Sequence, residues 1–140
     1  HTKVHAPYLR KADEYWHCGE CVTKFDVRIC QPNIELLNIR AVHTFEHLFA
    51  VLIRKYNLDV IDFSPMGCRT GFYLTLFGQY NELDILETIK EVFSKISKWN
   101  DIIPAATEKE CGSYKEHDLN GAKNIASVWL AGIIKKGWHY

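Results

Sequence analysis

The pentapeptide His43-Thr44-Phe45-Glu46-His47 places two imidazoles and a carboxylate within five residues. In a helix, positions 43, 46 and 47 share one face, because residues three and four apart are neighbours on a helix surface. Two neutral imidazoles four residues apart can bind one metal ion, with a carboxylate beside it. The order His-x-x-Glu-His is the inverse of the commoner zinc-protease motif. The pentapeptide therefore predicts a metal-dependent reaction centre, the alternative being two incidental histidines near a helix start.

Two cysteines in glycine-containing turns could complete such a centre. Cys111 lies in a polar loop before the last predicted helix, and its thiolate could be a third ligand that leaves a fourth position open. Cys68 lies between Gly67 and Gly71, and the adjacent Arg69 could favour a thiolate. Cys68 is therefore a candidate nucleophile or acid/base. Taken singly, each cysteine could also be a small buried apolar residue.

Arg28 follows Asp26 on the polar side of a predicted strand. Its guanidinium could bind a substrate carboxylate through two parallel hydrogen bonds. The alternative is an Asp–Arg pair on a solvated face of the sheet.

The segment His17-Cys18-Gly19-Glu20-Cys21 contains a CxxC pair next to a histidine. Such a pair can be half of a structural zinc site or a redox pair. The sequence has no second CxxC to complete a zinc site. We therefore interpret the segment as a loop with two free thiols.

Composition limits the classes of protein to consider. The chain has 140 residues and is 47% hydrophobic, enough for one domain with a sizeable core. Its 17 basic and 17 acidic residues cancel, which argues against nucleic acid or a membrane surface as a partner. The longest apolar run, residues 48–53, is far shorter than the ~20 residues of a membrane-spanning helix. Five widely spaced cysteines do not indicate a disulfide framework and favour a reducing cytoplasm.

The elements that must position these residues follow from hydrophobic periodicity. Residues 1–20 are polar, contain Pro7 and Gly19, and are predicted to be irregular. Alternating or aromatic-rich segments predict strands at 21–30, 60–63 and 71–77. Apolar residues at helical spacing predict helices at 42–56, 82–98 and 118–134. Strands separated by helices, with one hairpin-like pair, indicate a single α+β domain over residues 1–140.

Five stretches resemble the S-ribosylhomocysteine lyase (LuxS) family and occur in that family's order. They are HTK at 1–3, FDVRICQPN at 25–33, HTFEHLFA at 43–50, IDFSPMGCRTGFYL at 61–74 and ECGSYKEHDL at 110–119. The ordered set is highly specific and runs from the first residue to the final helix. The resemblance implies an antiparallel sheet packed against helices, in a cytoplasmic homodimer with two active sites at the subunit interface.

The resemblance also implies roles for individual residues. The implied metal ligands are His43, His47 and Cys111, the catalytic residues are Cys68 and Glu46, and the residues near the substrate are Arg28, Asp62 and His1. The implied metal is Fe(II), often replaced by zinc or cobalt. Imidazole and thiolate ligands do not themselves select iron, since they suit zinc equally well.

The implied reaction cleaves S-ribosylhomocysteine to homocysteine and 4,5-dihydroxy-2,3-pentanedione, the precursor of the autoinducer-2 quorum-sensing signal. The thioether is unactivated, so a carbonyl must first migrate along the sugar through enediolates before β-elimination can occur. A divalent metal can stabilise the developing negative charge. Cys68 is expected to move protons between carbons, Glu46 to serve the oxygens and Arg28 to bind the homocysteine carboxylate.

The sequence departs from the family pattern in three places. One is the segment from Lys11 to Glu20, with Trp16 and the CxxC pair, which matches no pattern of the family. Phe45 stands where the family usually has an aliphatic residue, and we expect only repacking of the core there. The numbering begins at His1 without a methionine, so a few preceding residues, which line the substrate site in the family, are expected to be missing.

Two other hypotheses remain open. The first is a metallopeptidase in which Glu46 activates water and Glu87 or Glu91 supplies a third ligand. The second is a non-enzymatic domain whose structural metal is bound by His17, Cys18 and Cys21. Neither hypothesis explains the ordered set of motifs.

Overall fold

The computed structural model describes residues 2–109, 112 and 117–140 and contains one sheet and three helices. The strands are β1 (Tyr8–His17), β2 (Glu20–Arg28), β3 (Val60–Pro65) and β4 (Gly71–Phe77). The helices are α1 (Ile39–Ile53), α2 (Glu82–Ser97) and α3 (Leu119–Lys136). All strand pairs are antiparallel, in the order β1-β2-β4-β3. The predicted α+β class, with an antiparallel sheet packed against helices, is confirmed.

The hydrophobic core lies between the helices and one face of the sheet. Phe25 and Val27 of β2 belong to it, together with Phe72 of β4 and Phe45 of α1. The rings of Phe45 and Phe72 stack with their centroids 5.0 Å apart. The Phe45 side chain thus packs inside the core, as expected.

The prediction that residues 1–20 are irregular is wrong, because β1 is a strand of ten residues. β1 lies at the edge of the sheet and pairs only with β2. Edge strands commonly carry charged residues, so β1 lacks the apolar alternation that marks a half-buried strand. Cys18 and Gly19 have φ values of 49° and 81°, as a two-residue hairpin turn requires. The residue pair Cys18-Gly19 therefore forms the turn of a β1–β2 hairpin.

The alternative of an Asp26–Arg28 pair on a solvated face of the sheet is also wrong, because the pair is buried. Asp26 is 0% and Arg28 is 3% exposed. Both side chains alternate along the strand with Phe25 and Val27 of the core, so they lie on the sheet face opposite to the helices. β2 therefore buries both of its faces at this end.

The helices begin where polar side chains cap their first turns. The Asn38 side chain accepts hydrogen bonds from the amides of Arg40 and Ala41, so α1 begins three residues earlier than predicted. Asn81 and Asp84 form a capping box at the start of α2. Asp118 caps α3 by accepting a hydrogen bond from the amide of Gly121.

Candidate metal centre and active site

Helix α1 presents His43, Glu46 and His47 at its partly exposed edge, while its other face enters the core. The Nε2 atoms of His43 and His47 lie 3.1 Å apart. The Nδ1 atom of His47 lies 2.7 Å from the carbonyl oxygen of Pro104. A carbonyl only accepts, so Nδ1 carries the proton and the Nε2 lone pair of His47 points toward His43.

This arrangement fits a bound metal ion. Two nitrogens each about 2.0 Å from a tetrahedral metal would lie ~3.3 Å apart, close to the 3.1 Å observed between the two Nε2 atoms. The hydrogen bond from His47 to Pro104 is the kind of outer partner that orients a metal-binding imidazole. Helix α1 therefore provides two ligands at the spacing that a single ion requires.

His117 joins the two predicted ligands and was not singled out as a site residue from the sequence. One ligand atom from each of His43, His47 and His117 lies within 4.8 Å of the others. The ring of His117 stacks on that of His43, with centroids 4.1 Å apart. Burial and the nearby His43 and His47 lower the pKa of His117, which favours the neutral imidazole that metals bind.

Thr44 ties His117 to α1. Its hydroxyl lies 3.0 Å from Nδ1 of His117 and 3.1 Å from the carbonyl oxygen of Arg40, to which it donates. It also accepts a hydrogen bond of 2.7 Å from the amide of Asp118. Because Asp118 caps α3, the start of α3 and the middle of α1 hold His117 beside the histidine pair. In the sequence, the one indication of this arrangement is that His117 directly precedes Asp118, the capping residue of α3.

Two predicted site residues, Cys111 and His1, lie outside the described residues. Their predicted roles as metal ligand and substrate contact remain predictions.

Glu46 and Asp62 face a common cavity of about 420 Å³ that His47 also lines. Burial raises the pKa of Glu46, as does Asp62 to a lesser degree, while His43 and His47 oppose the shift. A carboxyl group with a raised pKa can give and take protons closer to neutrality than an exposed one. The structure thus brings four predicted residues to one place: His43, Glu46, His47 and Asp62.

Cys68 and Arg28 form a second group, joined by Thr70. The Cys68 sulfur and the Arg28 Nη1 atom each lie 3.0 Å from the Thr70 hydroxyl oxygen. Arg28 also donates from Nε and Nη2 to the two carboxylate oxygens of Asp26, at 3.0 and 2.8 Å. Burial disfavours the Arg28 charge, yet the hydrogen bonds and charge of Asp26 outweigh it and raise the pKa of Arg28.

Asp26 is the buried centre of a charged network on this side of the sheet. Its Oδ2 also accepts hydrogen bonds from the Tyr8 hydroxyl at 2.9 Å and from Arg10 Nη2 at 3.1 Å. One carboxylate thus faces two guanidinium groups. Tyr8, Arg10 and Arg28 line a second cavity of about 240 Å³.

Two sets of residues considered under the other hypotheses are not assembled into a metal site. Within the described part of the chain, His43, His47 and His117 are the only group of three or more potential ligands that could hold a metal ion. Cys18 is exposed in a turn and Cys21 is buried. Glu87 and Glu91 lie on the exposed side of α2, where Glu87 pairs with Lys90.

Among the described residues, no helix combines the length and apolar character that crossing a membrane requires.

Together, these features define a small α+β domain with a histidine cluster suited to a metal ion and a carboxylate beside it. The sequence model of the family described as S-Ribosylhomocysteinase (LuxS) matches residues 1–139, and the chain belongs to this family.

Named relatives match nearly the whole chain. An S-ribosylhomocysteine lyase of Clostridium perfringens is 51% identical over 135 residues, which cover 96% of this chain and 89% of the relative. The lyase of Thermus thermophilus is 44% identical over 98% of this chain and 86% of its own length. A lyase of Helicobacter pylori is 43% identical over 93% of this chain and 84% of its own length.

Proposed function

We propose that this protein is a metal-dependent S-ribosylhomocysteine lyase. It cleaves the thioether of S-ribosylhomocysteine and releases homocysteine and 4,5-dihydroxy-2,3-pentanedione, the autoinducer-2 precursor. The observation that carries the proposal is the histidine cluster of α1 with Glu46 beside it, in a chain that belongs to the LuxS family. In this proposal residues 1–140 are one lyase domain that acts in the cytoplasm.

The metal is proposed to be Fe(II), replaceable by zinc or cobalt, held by His43, His47 and Cys111. When bound, it would supply positive charge to stabilise negative charge on the sugar oxygens. Imidazole and thiolate ligands are compatible with all three metals. The lowered pKa of His117 and its place beside both α1 histidines make it the alternative third ligand.

Cys68 and Glu46 are proposed to move the protons. Carbonyl migration requires a base that removes a proton from one carbon and returns it to the next. A thiol can do so because its two protonation states are close in free energy near neutral pH. Glu46 is half-buried beside the histidines and lines the 420 Å³ cavity, which supports a role in serving the substrate oxygens and the final elimination.

Arg28, Asp62 and His1 are proposed to contact the substrate. Asp62 lines the same cavity as Glu46, which supports this role. Arg28 uses three of its five N–H groups on Asp26 and Thr70, which leaves one N–H on Nη1 and one on Nη2 for a substrate carboxylate. Arg28 can still offer its remaining N–H groups and its charge to the substrate.

A homodimer would join the two groups of site residues. The histidines and Glu46 belong to a helix on one side of the sheet, whereas Arg28 points to the other side and binds Thr70 and, through it, Cys68. We propose that the helix side of one protomer meets the Cys68 side of its partner. Exposed apolar side chains before and at the start of α1 support such an interface: Ile34, Leu36 and Ile39. Sedimentation of the metal-loaded protein as a monomer would overturn this part of the proposal.

The decisive experiment measures thiol release from S-ribosylhomocysteine under anaerobic conditions with iron-loaded protein. We expect homocysteine to appear catalytically. Cys68→Ala should keep its metal and lose turnover, since it removes the proton carrier and no ligand. Cys18→Ala, which removes another exposed thiol, is the matched control and should stay active.

Two results would count against the proposal. Near wild-type thiol release by Cys68→Ala would remove Cys68 as the proton carrier. The absence of thiol from a folded, metal-loaded protein would reject the lyase function and make peptide hydrolysis the next activity to measure.

A further inference from the structure

The cavity of about 240 Å³ beside the charged network of β2 has no ligand in the proposed function. Two arginines, two tyrosines and a valine line it: Arg10, Arg28, Tyr8, Tyr140 and Val4. Its volume is several times the ~30 Å³ that one water occupies in the liquid. The cavity therefore has room for a small organic molecule, and the residues that line it include two cations and no carboxylate.

Both guanidinium groups keep N–H donors for a ligand. Arg28 donates three of its five N–H groups to Asp26 and Thr70. Within the described part of the chain, Arg10 donates only from Nη2, to the same carboxylate, and its side chain is 34% exposed. An oxyanion in the cavity can therefore accept hydrogen bonds from two charged residues, and such bonds are stronger than neutral ones.

The charges of the network also favour an anion. Asp26 is fully buried, and its two oxygens already accept hydrogen bonds from Tyr8, Arg10 and Arg28. A single carboxylate balances at most one of the two guanidinium charges. At least one positive charge is therefore left beside the cavity, and an anion with one negative charge would balance it.

One wall of the cavity is aliphatic and is fixed by a side chain of the loop after β2. The Gln31 amide group donates to the carbonyl oxygen of Val4 at 2.8 Å and accepts from the amide of Ala6 at 2.9 Å. Gln31 thus binds the main chain on both sides of His5. These two hydrogen bonds hold Val4 at the cavity.

The outer wall is the aromatic ring of Tyr140. The chain turns back after α3, and the amide of Leu9 donates to the carbonyl oxygen of Trp138 at 3.0 Å. This hydrogen bond brings the Tyr140 ring to 6.0 Å from the ring of Tyr8 and to 5.8 Å from the guanidinium of Arg10. Tyr140 is 59% exposed, so the cavity opens to solvent on this side.

We propose that this cavity binds a small organic carboxylate that has an apolar or aromatic body. Arg10 and Arg28 bind the carboxylate, because the planar guanidinium group matches its two oxygens. Val4 and Tyr140 contact the body of the ligand. Inorganic phosphate is disfavoured, since it has no apolar surface to remove from water at these walls. The site goes beyond the proposed lyase function.

The test uses benzoate, which joins a carboxylate to an apolar ring, and measures its binding to the metal-loaded protein by NMR titration. We expect Arg10→Gln to weaken binding about tenfold, the order expected for loss of a hydrogen bond to a charged group. Arg40→Gln removes an exposed arginine of α1 and is the matched control, which should bind benzoate like the wild type. Benzyl alcohol, which lacks the carboxylate, should not bind measurably.

Three results would overturn the proposal. The first is equal affinity of wild type and Arg10→Gln for benzoate. The second is inorganic phosphate binding as tightly as benzoate, with the same loss in Arg10→Gln, because the apolar walls would then contribute nothing. The third is binding of homocysteine without binding of benzoate. Since Arg28 is also a proposed substrate contact, the cavity would then be part of the substrate site.

A second measurement uses the unaltered protein and does not depend on the folding of a variant. Phenylglyoxal modifies accessible arginines, and its rate at each arginine is followed by peptide mass spectrometry. Saturating benzoate should slow the modification of Arg10 several-fold and leave that of Arg40 unchanged. Equal rates at Arg10 with and without benzoate would contradict the proposal. Neither measurement uses S-ribosylhomocysteine, so failure of the lyase assay and failure of this site are separate results.

Discussion

At the residue scale, two side chains are candidates for the third ligand of the metal: Cys111 and His117. The family resemblance points to Cys111, and the structure brings His117 to the pair formed by His43 and His47. Thiolate and imidazole both bind divalent metals, so the chemistry of the donors does not choose between them. Substituting each residue in turn can identify the third ligand.

We expect Cys111→Ala to lose its metal, because two imidazoles alone leave the ion with too few protein ligands. His117→Ala should bind metal about 10-fold to 100-fold more weakly, the usual effect of losing a residue that supports the ligands from outside. Metal content is measured by elemental analysis after dialysis against a weak chelator. His17→Ala, which removes an exposed histidine of β1, is the matched control.

Full metal occupancy in Cys111→Ala, with complete loss in His117→Ala, would contradict this expectation. The third ligand would then be His117.

The α1 part of the site could be predicted from sequence because its residues share one helix. The spacing of His43, Glu46 and His47 determines their common face once the helix forms. The contribution of His117 depends on how α3 docks against α1 through Thr44 and Asp118, which no local pattern encodes. The same is true of Arg28, whose partners Tyr8 and Thr70 come from other strands or from a turn.

At the scale of elements, the turn between β3 and β4 is held close to β2 at Gly71. A Cβ atom at this position would lie 2.5 Å from the carbonyl oxygen of Val27 and 2.9 Å from the Cα of Arg28. Both neighbours are backbone atoms of β2 and cannot rotate away. The close approach of the two strands therefore requires glycine.

We expect Gly71→Ala to lower the free energy of unfolding by about 1–3 kcal/mol, the usual cost of inserting a methyl group where no space exists. Gly67→Ala is the matched control on the other side of Cys68, since a Cβ there would meet nothing within 4 Å. Urea denaturation followed by circular dichroism measures both. Equal stability of the two variants would show that β2 and β4 separate easily at this point.

The strands and helices were predictable to different degrees for a physical reason. β4 was predicted over its full extent because its apolar alternation is strong, and α2 because its apolar residues recur at helical spacing. β1 was missed because an edge strand keeps charged side chains in water, so its pairing with β2 leaves little trace in hydropathy.

At the scale of the whole molecule, the buried network around Asp26 connects the edge strand, β2 and the Cys68 turn. Tyr8 belongs to this network, and burial, together with the negative charge of Asp26, raises the pKa of Tyr8 to about 12. An unfolded chain ionises the same tyrosine near pH 10. Between pH 10 and 12, the Tyr8 hydroxyl therefore loses its proton in the unfolded chain and keeps it in the folded protein.

We therefore expect the Tyr8 contribution to stability to be complete below pH 10 and to be lost as the pH rises toward 12, by up to roughly 3 kcal/mol. The free energy of unfolding of the wild type should fall more steeply over this range than that of Tyr8→Phe. Tyr80→Phe, which changes a half-buried tyrosine after β4, is the control and should follow the wild type. Parallel curves for Tyr8→Phe and wild type would contradict the prediction.

The partner of His47 is a main-chain carbonyl, that of Pro104, and not a side chain. A point mutation can remove a side-chain acceptor, but every residue type carries this oxygen. The orientation of His47 therefore depends on the backbone path of this loop and not on which side chains the loop carries. An insertion or deletion in this loop would therefore displace the acceptor of His47, whereas a change of the side chain at position 104 alone would leave that oxygen in place.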